Sequence, residues 1–289
     1  MATILQLKKR IKSVTNISKI TKAMEMVAAS KMRQAQLQAL SSRHYSRKLE
    51  DIHSKIASRI DTTYHPLLSS HTLNSQEALL IVSTDRGLTG SLNANLFKSI
   101  NIFQQDHQAH VYTVGRLAKE YAIKSNFDLV AEFGEVGEVV SYEITQPVAG
   151  LLMKEFLDGH YQKVYIAYMD FISTLEQNPR IIQLLPLSKQ SSEEEKHIPG
   201  VYSKEYIFEP DAQSLLNSLL PYSVEMSVYQ SLLEARASEH SARMVAMKNA
   251  SENASELKDN LSLQFNRSRQ AKITSELSDI VTATMSLGS

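Results

Sequence analysis

The segment best equipped for chemistry is Asp85-Arg86-Gly87-Leu-Thr-Gly90, where a carboxylate, a guanidinium and two glycines follow the apolar run Ala78-Leu-Leu-Ile-Val-Ser-Thr84. That run reads as a strand, and open α/β sheets place ligands just beyond the carboxyl ends of their strands. Acid-base or nucleophilic catalysis there would also need a base and a nucleophile within reach, and the neighbouring sequence supplies neither. Asp85, Gly87 and Gly90 read instead as a turn leading into a helix from Asn93. A second strand-to-helix junction, Val114-Gly115-Arg116, has only one glycine, and neither of the glycine-rich phosphate-binding patterns occurs in the chain. This junction too reads as a tight turn rather than a nucleotide site. The 9 histidines are scattered without metal-ligand spacing. With 0 cysteines, disulfides, thiolate catalysis, iron-sulfur clusters and thiolate zinc sites are excluded. No catalytic, cofactor-binding or metal site is therefore expected.

The elements that hold these segments fall into three parts. From Thr3 to about Arg59 there is neither Pro nor Gly, and Ile4, Leu7, Ile11, Val14, Ile17, Ile20, Met24, Val27 and Ala28 recur three and four apart. This is the pattern of one helix, roughly 85 Å long at the α-helical rise. A second segment free of Pro and Gly runs from about Ser223 to Leu287, with a stripe through Val224, Val228, Leu232, Ala235, Ala242, Ala246, Ala250, Ala254, Leu257 and Leu261. Helices of this length need a partner along them, and each is the natural partner of the other in an antiparallel pair. The heptad in the first helix holds from Ile4 to about Val14 and then slips by one position, so an irregular coiled coil is expected.

Between the helices, short β-branched runs (Ala78–Thr84, His110–Val114, Asp128–Phe133, Lys163–Met169) alternate with helical stretches such as Arg116–Lys124 and Ile144–Asp158. Alternation of this kind predicts a mostly parallel sheet, with Arg180–Leu187 as an antiparallel return strand after Asn178-Pro179. The fold class is α/β, divided as residues 1–60, 61–210 and 211–289. Ser191-Ser-Glu-Glu-Glu-Lys196 reads as a solvated loop. The first residues mix Leu and Ile with Lys8, Lys9 and Arg10, and no apolar stretch long enough for a signal peptide or a membrane span follows.

Charge is unevenly spread. Residues 1–60 carry 13 Lys+Arg against 3 Asp+Glu, while residues 61–222 carry 11 against 20. The basic segment suits nucleic acid, anionic lipid or an acidic protein surface, and charge alone leaves the three open.

Ile20-Thr-Lys-Ala-Met-Glu-Met-Val-Ala-Ala-Ser-Lys-Met-Arg33 resembles the N-terminal motif of the F-type ATP synthase gamma subunit family. Ser238-Glu-His-Ser-Ala-Arg-Met-Val-Ala-Met-Lys-Asn-Ala250 and Asn266-Arg-Ser-Arg-Gln-Ala-Lys-Ile-Thr-Ser-Glu276 resemble its C-terminal signature, in the same order. Ser83–Gly90 and Tyr206-Ile-Phe-Glu-Pro210 resemble internal motifs, so the likeness spans essentially the whole chain. The resemblance implies a coiled-coil shaft set inside a hexamer of alternating alpha and beta subunits. It also implies a Rossmann-like domain near the epsilon subunit and the membrane c-ring, on the cytoplasmic face of a bacterial inner membrane. In the family the shaft rotates and couples ion flow to conformational change, and catalysis occurs on the beta subunits. Carried over by motif, the contacts to beta subunits fall on Met24, Arg243, Gln270 and Thr274. The basic first segment would then face acidic beta-subunit loops rather than nucleic acid. By periodicity alone, Met24 reads as a core residue and Arg243 as a solvated helix charge. The chain departs from the family pattern at Thr89-Gly90-Ser91, where Cys-Gly-Gly is usual, and at Thr282-Ala283-Thr284, where Gly-Gly-Ala is usual. A coiled-coil scaffold for acidic partners, or a divergent paralogue, is the alternative reading.

Overall fold

The computed structural model describes residues 3–57, 65–69, 75–134, 137, 140–187 and 212–287. The Ser191–Lys196 run and the Tyr206–Pro210 motif lie outside the described residues. In chain order the elements are α1 (Ile4–Ala57), a 3-10 turn (Pro66–Leu68), β1 (Glu77–Val82), α2 (Leu92–His107), β2 (His110–Val114), α3 (Arg116–Lys124), β3 (Leu129–Phe133), α4 (Tyr142–Leu157), β4 (Lys163–Phe171), β5 (Gln177–Leu185) and α5 (Ala212–Leu287). The chain divides into two compact units. One comprises residues 31–242, and the other residues 1–30 with 243–289.

In the larger unit the five strands lie in the order β3-β2-β1-β4-β5. The first four are parallel, and β5 returns antiparallel to β4, as the sequence predicts. β1 is central and every one of its residues is buried. Its alternation sends Ala78, Leu80 and Val82 to one face and Leu79 and Ile81 to the other. A strand covered on both sides has no polar face to show, which is why its sequence reads as an unbroken apolar run.

The Leu79 face is covered by α2, through Leu92, Leu96 and Ile100, and by α3, through Ala118 and Ala122. The opposite face is covered by α4, through Val148, Leu152 and Phe156, together with Ala35 and Ala39 of α1 and Leu216 to Ala237 of α5. The portions of the long helices within residues 31–242 are thus part of the sheet's own core. α5 begins at Ala212, earlier than the Pro-free stretch suggests, and Pro221 lies inside it. Proline removes a helical hydrogen bond and clashes with the preceding turn. Here that cost is met by burial of Leu216, Leu220, Val224 and Val228 on either side.

The loop between β1 and α2 is held by its own side chains. Thr84 Oγ1 donates to the Arg86 carbonyl at 2.9 Å, and Asn93 Nδ2 donates to Thr84 Oγ1 at 2.9 Å and to Thr89 Oγ1 at 3.2 Å. Thr89 is buried, so where the family usually has a cysteine this chain places a hydroxyl with a hydrogen-bond partner. Gly115 closes the turn from β2 into α3 with φ +92°, and a Cβ there would lie 2.5 Å from the Ser83 carbonyl oxygen. Both the left-handed backbone and that backbone contact exclude a side chain. Gly115→Ala is therefore expected to destabilise the larger unit by at least about 2 kcal/mol, measured as a lower urea midpoint. An unchanged midpoint would mean that the β2–α3 turn relaxes freely.

Candidate partner interface on the helical pair

In the smaller unit, α1 up to Ser30 pairs with α5 from Arg243. Ser251 Oγ donates to the Ser18 carbonyl at 3.5 Å, and Lys9, Arg10, Ser13 and Val14 line one recess with Leu257 and Leu261. Low numbers on one helix meet high numbers on the other, so the pair is antiparallel. Positions that are not exposed include Ile4, Leu7, Ile11, Val14, Ser18, Thr21, Glu25 and Ala28 on α1, with Thr15, Met24 and Ala29 half-buried beside them, and Met247, Ser251, Ala254, Lys258, Leu261, Phe265 and Ser268 on α5, with Ala250 and Ser262 half-buried beside them. Both series alternate three and four apart, the spacing of a coiled-coil seam.

After Val14 the covered strip widens to adjacent positions, Val14 with Thr15, Met24 with Glu25 and Ala28 with Ala29. The seam continues through Ser18, Thr21 and Glu25, and its chemistry changes too. The apolar residues read as the continuing stripe point outward instead, Ile17 being 52%, Ile20 59% and Val27 55% exposed. Met24 lies among them, half-buried.

The antiparallel register places Met24 and Arg243 at one level of the pair; Arg243 is also half-buried. Gln270 and Thr274 stand one helical turn apart on α5, both exposed, about 40 Å further along the helix by its rise per residue. The four candidates thus form two levels, not one cluster. From Arg269 to Ala283 every α5 side chain is exposed, including Ile273, Leu277, Ile280 and Val281. At the departure from Gly-Gly-Ala, Thr282 Oγ1 donates to the Ser278 carbonyl at 2.8 Å, a helix-compatible bond.

The sheet's own ligand crevice is closed. At the start of α3, the position where α/β domains bind phosphate groups, the free N–H groups already have acceptors. Arg116 N–H donates to Asp85 Oδ1 at 3.2 Å, Leu117 N–H to the Thr84 carbonyl at 3.3 Å, and Ala118 N–H to Ser83 Oγ at 2.7 Å. Leu232, Ala235, Arg236 and Glu239 of α5 cover the same end of β1 and β2 and leave a cavity of about 10 Å³, about the room one water molecule needs. The Asp85–Gly90 and Val114–Arg116 segments therefore serve as turns and caps. Sequence reasoning missed Arg236, whose only signal is a cation on the apolar face of a helix.

A second buried polar group ties α1 and α5 to the sheet. Arg43 pairs with Glu234 at 2.8 Å and with Asp170 at 3.4 Å, and donates to the Phe171 carbonyl at 3.0 Å. Gln230 Nε2 donates to Glu234 Oε1 at 2.8 Å and to the Ala39 carbonyl at 3.2 Å. Burial pushes the Glu234 carboxyl above its ordinary value, outweighing the hydrogen bond from Gln230 and the attraction of Arg43, and nearby Asp170 adds to the rise.

One unit is a helical pair in which α5 runs past the seam, and the other is an α/β domain whose crevice is filled by the chain itself; neither offers a site for catalysis among the described residues. The family model described as ATP synthase matches residues 3–287. The ATP synthase gamma chain of Dehalococcoides mccartyi strain CBDB1 is 42% identical over 285 residues, 97% of this chain and 98% of that one. The gamma chain of Chloroflexus aurantiacus strain J-10-fl is 39% identical over 296 residues, the whole of both. In fold, the chain is similar to one from the OSCP/F1/c-ring structure of Euglena gracilis mitochondrial ATP synthase, with TM-score 0.67 and 16% identity over 98% of this chain and 94% of that one. A chain of the central stalk/c-ring structure from Tetrahymena thermophila gives TM-score 0.61 at 22% identity, over 80% of this chain and 99% of that one. The chain belongs to the ATP synthase gamma chain family. It is accordingly a non-catalytic part of the synthase. Among the described residues, no helix is long and apolar enough to cross a membrane.

The raised Glu234 carboxyl gives a signed prediction. A folded-state pKa above the unfolded one means that the folded protein takes up its proton first, so this group's contribution to stability rises as pH falls through the folded pKa. The gain levels off below the ordinary value of 4.5. Stability of the wild type relative to Glu234→Gln should increase as pH is lowered from about 7 to about 5. Urea unfolding can be followed by tyrosine fluorescence, since the chain has 12 Tyr and 0 Trp. A pH-independent difference would show that Arg43 cancels the burial term.

Proposed function

We propose that this chain turns inside a ring of alternating alpha and beta subunits and couples ion flow through a membrane c-ring to conformational change at catalytic sites on the beta subunits. The epsilon subunit and the c-ring are its partners at the α/β domain, and the complex sits peripherally on the cytoplasmic face of a bacterial inner membrane. The carrying observation is the outward apolar surface of the helical pair: Ile17, Ile20 and Val27 on α1, and Ile273, Leu277, Ile280 and Val281 on α5. Exposed apolar stripes of this extent mark surfaces that a partner covers. The basic residues of the first helix lie among them, matching an acidic protein surface by charge. An asymmetric shaft touches chemically identical subunits differently, and each difference in contact biases the opening of the subunit it meets.

Within this reading Met24, Arg243, Gln270 and Thr274 are the contacts to beta subunits, and the division into residues 1–60, 61–210 and 211–289 separates the two shaft strands from the domain that meets epsilon and the c-ring. Affinity purification from the native source, with mass spectrometry, should recover alpha, beta and epsilon subunits and no nucleic acid; their absence would sink the proposal.

Two further outcomes are expected. Amides of residues 270–283 should exchange rapidly in the free chain and slowly in the complex, because an uncovered helix end opens readily. In complexes reconstituted with alpha and beta subunits, Arg243→Glu should weaken transmission at a cost of about 2 kcal/mol or more, as for charged contacts desolvated at an interface. The double variant Gln270→Ala/Thr274→Ala should act in the same direction. Assembly should survive in both, because the seam residues are untouched. Steady-state ATPase and torque equal to wild type would mean that these side chains are ordinary solvated helix positions.

A further inference from the structure

We propose that the Asp85–Arg236 ion pair is a torque clamp: a directional tie through which the sheet and the stretch of α5 packed on it, residues 212–242, turn as one body. The inference rests on the shaft reading above and joins Asp85, within the Ser83–Gly90 motif, to Arg236, which lies outside every motif. Arg236 Nη2 lies 3.1 Å from Asp85 Oδ2, and the two side chains are only 14% and 9% exposed. Arg236 Nη1 is held from its own helix by Glu239 Oε2 at 2.6 Å, which fixes the guanidinium's direction.

Asp85 is itself anchored to two rigid elements. It follows β1 by three residues, its Oδ1 accepts the Arg116 N–H at the start of α3, and its carbonyl accepts Arg116 Nε at 3.1 Å. A pull on Arg236 is therefore delivered to a strand and a helix together, not to a loose loop. The surrounding contact between α5 and the sheet is apolar, Leu232 and Ala235 against Val82, Val114 and Gly115. Apolar packing resists separation but has little directional preference for sliding. A buried charged hydrogen bond is short-ranged and directional, and stretching it leaves both charges without solvent. Ser238 Oγ, donating to the Met169 carbonyl at 2.9 Å, adds a neutral tie two residues further along α5.

The test uses the complex reconstituted with alpha and beta subunits. Because the chain has 0 cysteines, Lys98→Cys, at an exposed α2 position, gives a unique attachment for a bead on the α/β domain. Angular fluctuations of the paused bead read the torsional stiffness between the catalytic ring and that domain, and ATPase without load reads the ring alone. Asp85→Asn keeps the acceptor for the Arg116 N–H and removes the charge. It should broaden the fluctuations while leaving unloaded ATPase as in wild type, and Asp85→Glu should restore the stiffness. Arg236→Gln should soften the shaft similarly, and the double variant should add little to either single one. Wild-type stiffness in Asp85→Asn overturns the clamp. So does a complex that fails to assemble with Asp85→Asn, since the pair would then serve folding rather than transmission. An unmodified chain that never drives bead rotation would instead overturn the shaft reading itself.

Discussion

An uninterrupted helix of 76 residues must find cover for its apolar stripe along its whole length, and the rest of the molecule follows from how α5 solves this. Residues Leu216 to Ala237 are buried in the core of the sheet. Met247 to Ser268 meet α1 along a heptad seam, and from Arg269 to Ala283 the side chains are exposed. The composition changes with the surroundings: branched aliphatics where the sheet is broad, small and polar residues where two helices approach closely, and past the seam a mixed stretch that leaves Ile273, Leu277, Ile280 and Val281 exposed.

The same helix decides what the α/β domain can do. A parallel sheet creates a crevice where the strands end, and the helix that follows offers N–H groups there that bind anions in other proteins. Here Ser83, Thr84 and Asp85 satisfy those groups from within, and α5 fills the remaining space. The domain keeps the architecture of a nucleotide-binding fold while its site has become a joint between sheet and helix. Fold and function separate in this way because the sheet's stability depends on its two faces, whereas ligand binding depends on a few loop residues at one end.

Much of this was legible beforehand. β2 and α3 fall at His110–Val114 and Arg116–Lys124 as their patterns predict, since a strand buried on both faces and a short helix between glycine and serine turns leave little ambiguity. The antiparallel return of β5 was expected after a turn at Asn178-Pro179, but the turn falls at Ser173–Glu176, and Asn178 and Pro179 lie inside the strand opposite Asp170 and Met169. The division at residue 211 agrees with the start of α5 at Ala212, whereas the Pro-free stretch begins only at about Ser223, because a proline normally ends a helix and tertiary burial keeps Pro221 inside this one. The seam was misread for a subtler reason. Periodicity finds apolar residues, and in α1 the apolar residues Ile17, Ile20 and Val27 are not the ones the partner helix covers. No single-sequence pattern distinguishes a stripe that faces its own chain from one that faces another molecule. Arg236 was invisible for the same reason, since its partner lies 151 residues away.

This division between seam and surface fits a helical pair enclosed by a sleeve. A seam of Ser18, Thr21, Ser251 and Lys258 buries little apolar area, so the two strands hold each other weakly there, as the modest worth of each polar contact implies. If the apolar residues faced inward, the pair would be a self-sufficient coiled coil with a polar exterior, and any enclosing protein would have only charge to grip. With Ile17, Ile20 and Val27 outward, the pair instead presents graded apolar relief interrupted by lysines and arginines, different at every angle around its axis. An enclosing ring of like subunits would read that relief differently at each position, so each rotation changes which subunit is favoured in which conformation. The weak seam and the strong outward relief are thus two aspects of one sequence solution, and inside the proposed ring binding would supply the stability that the seam lacks.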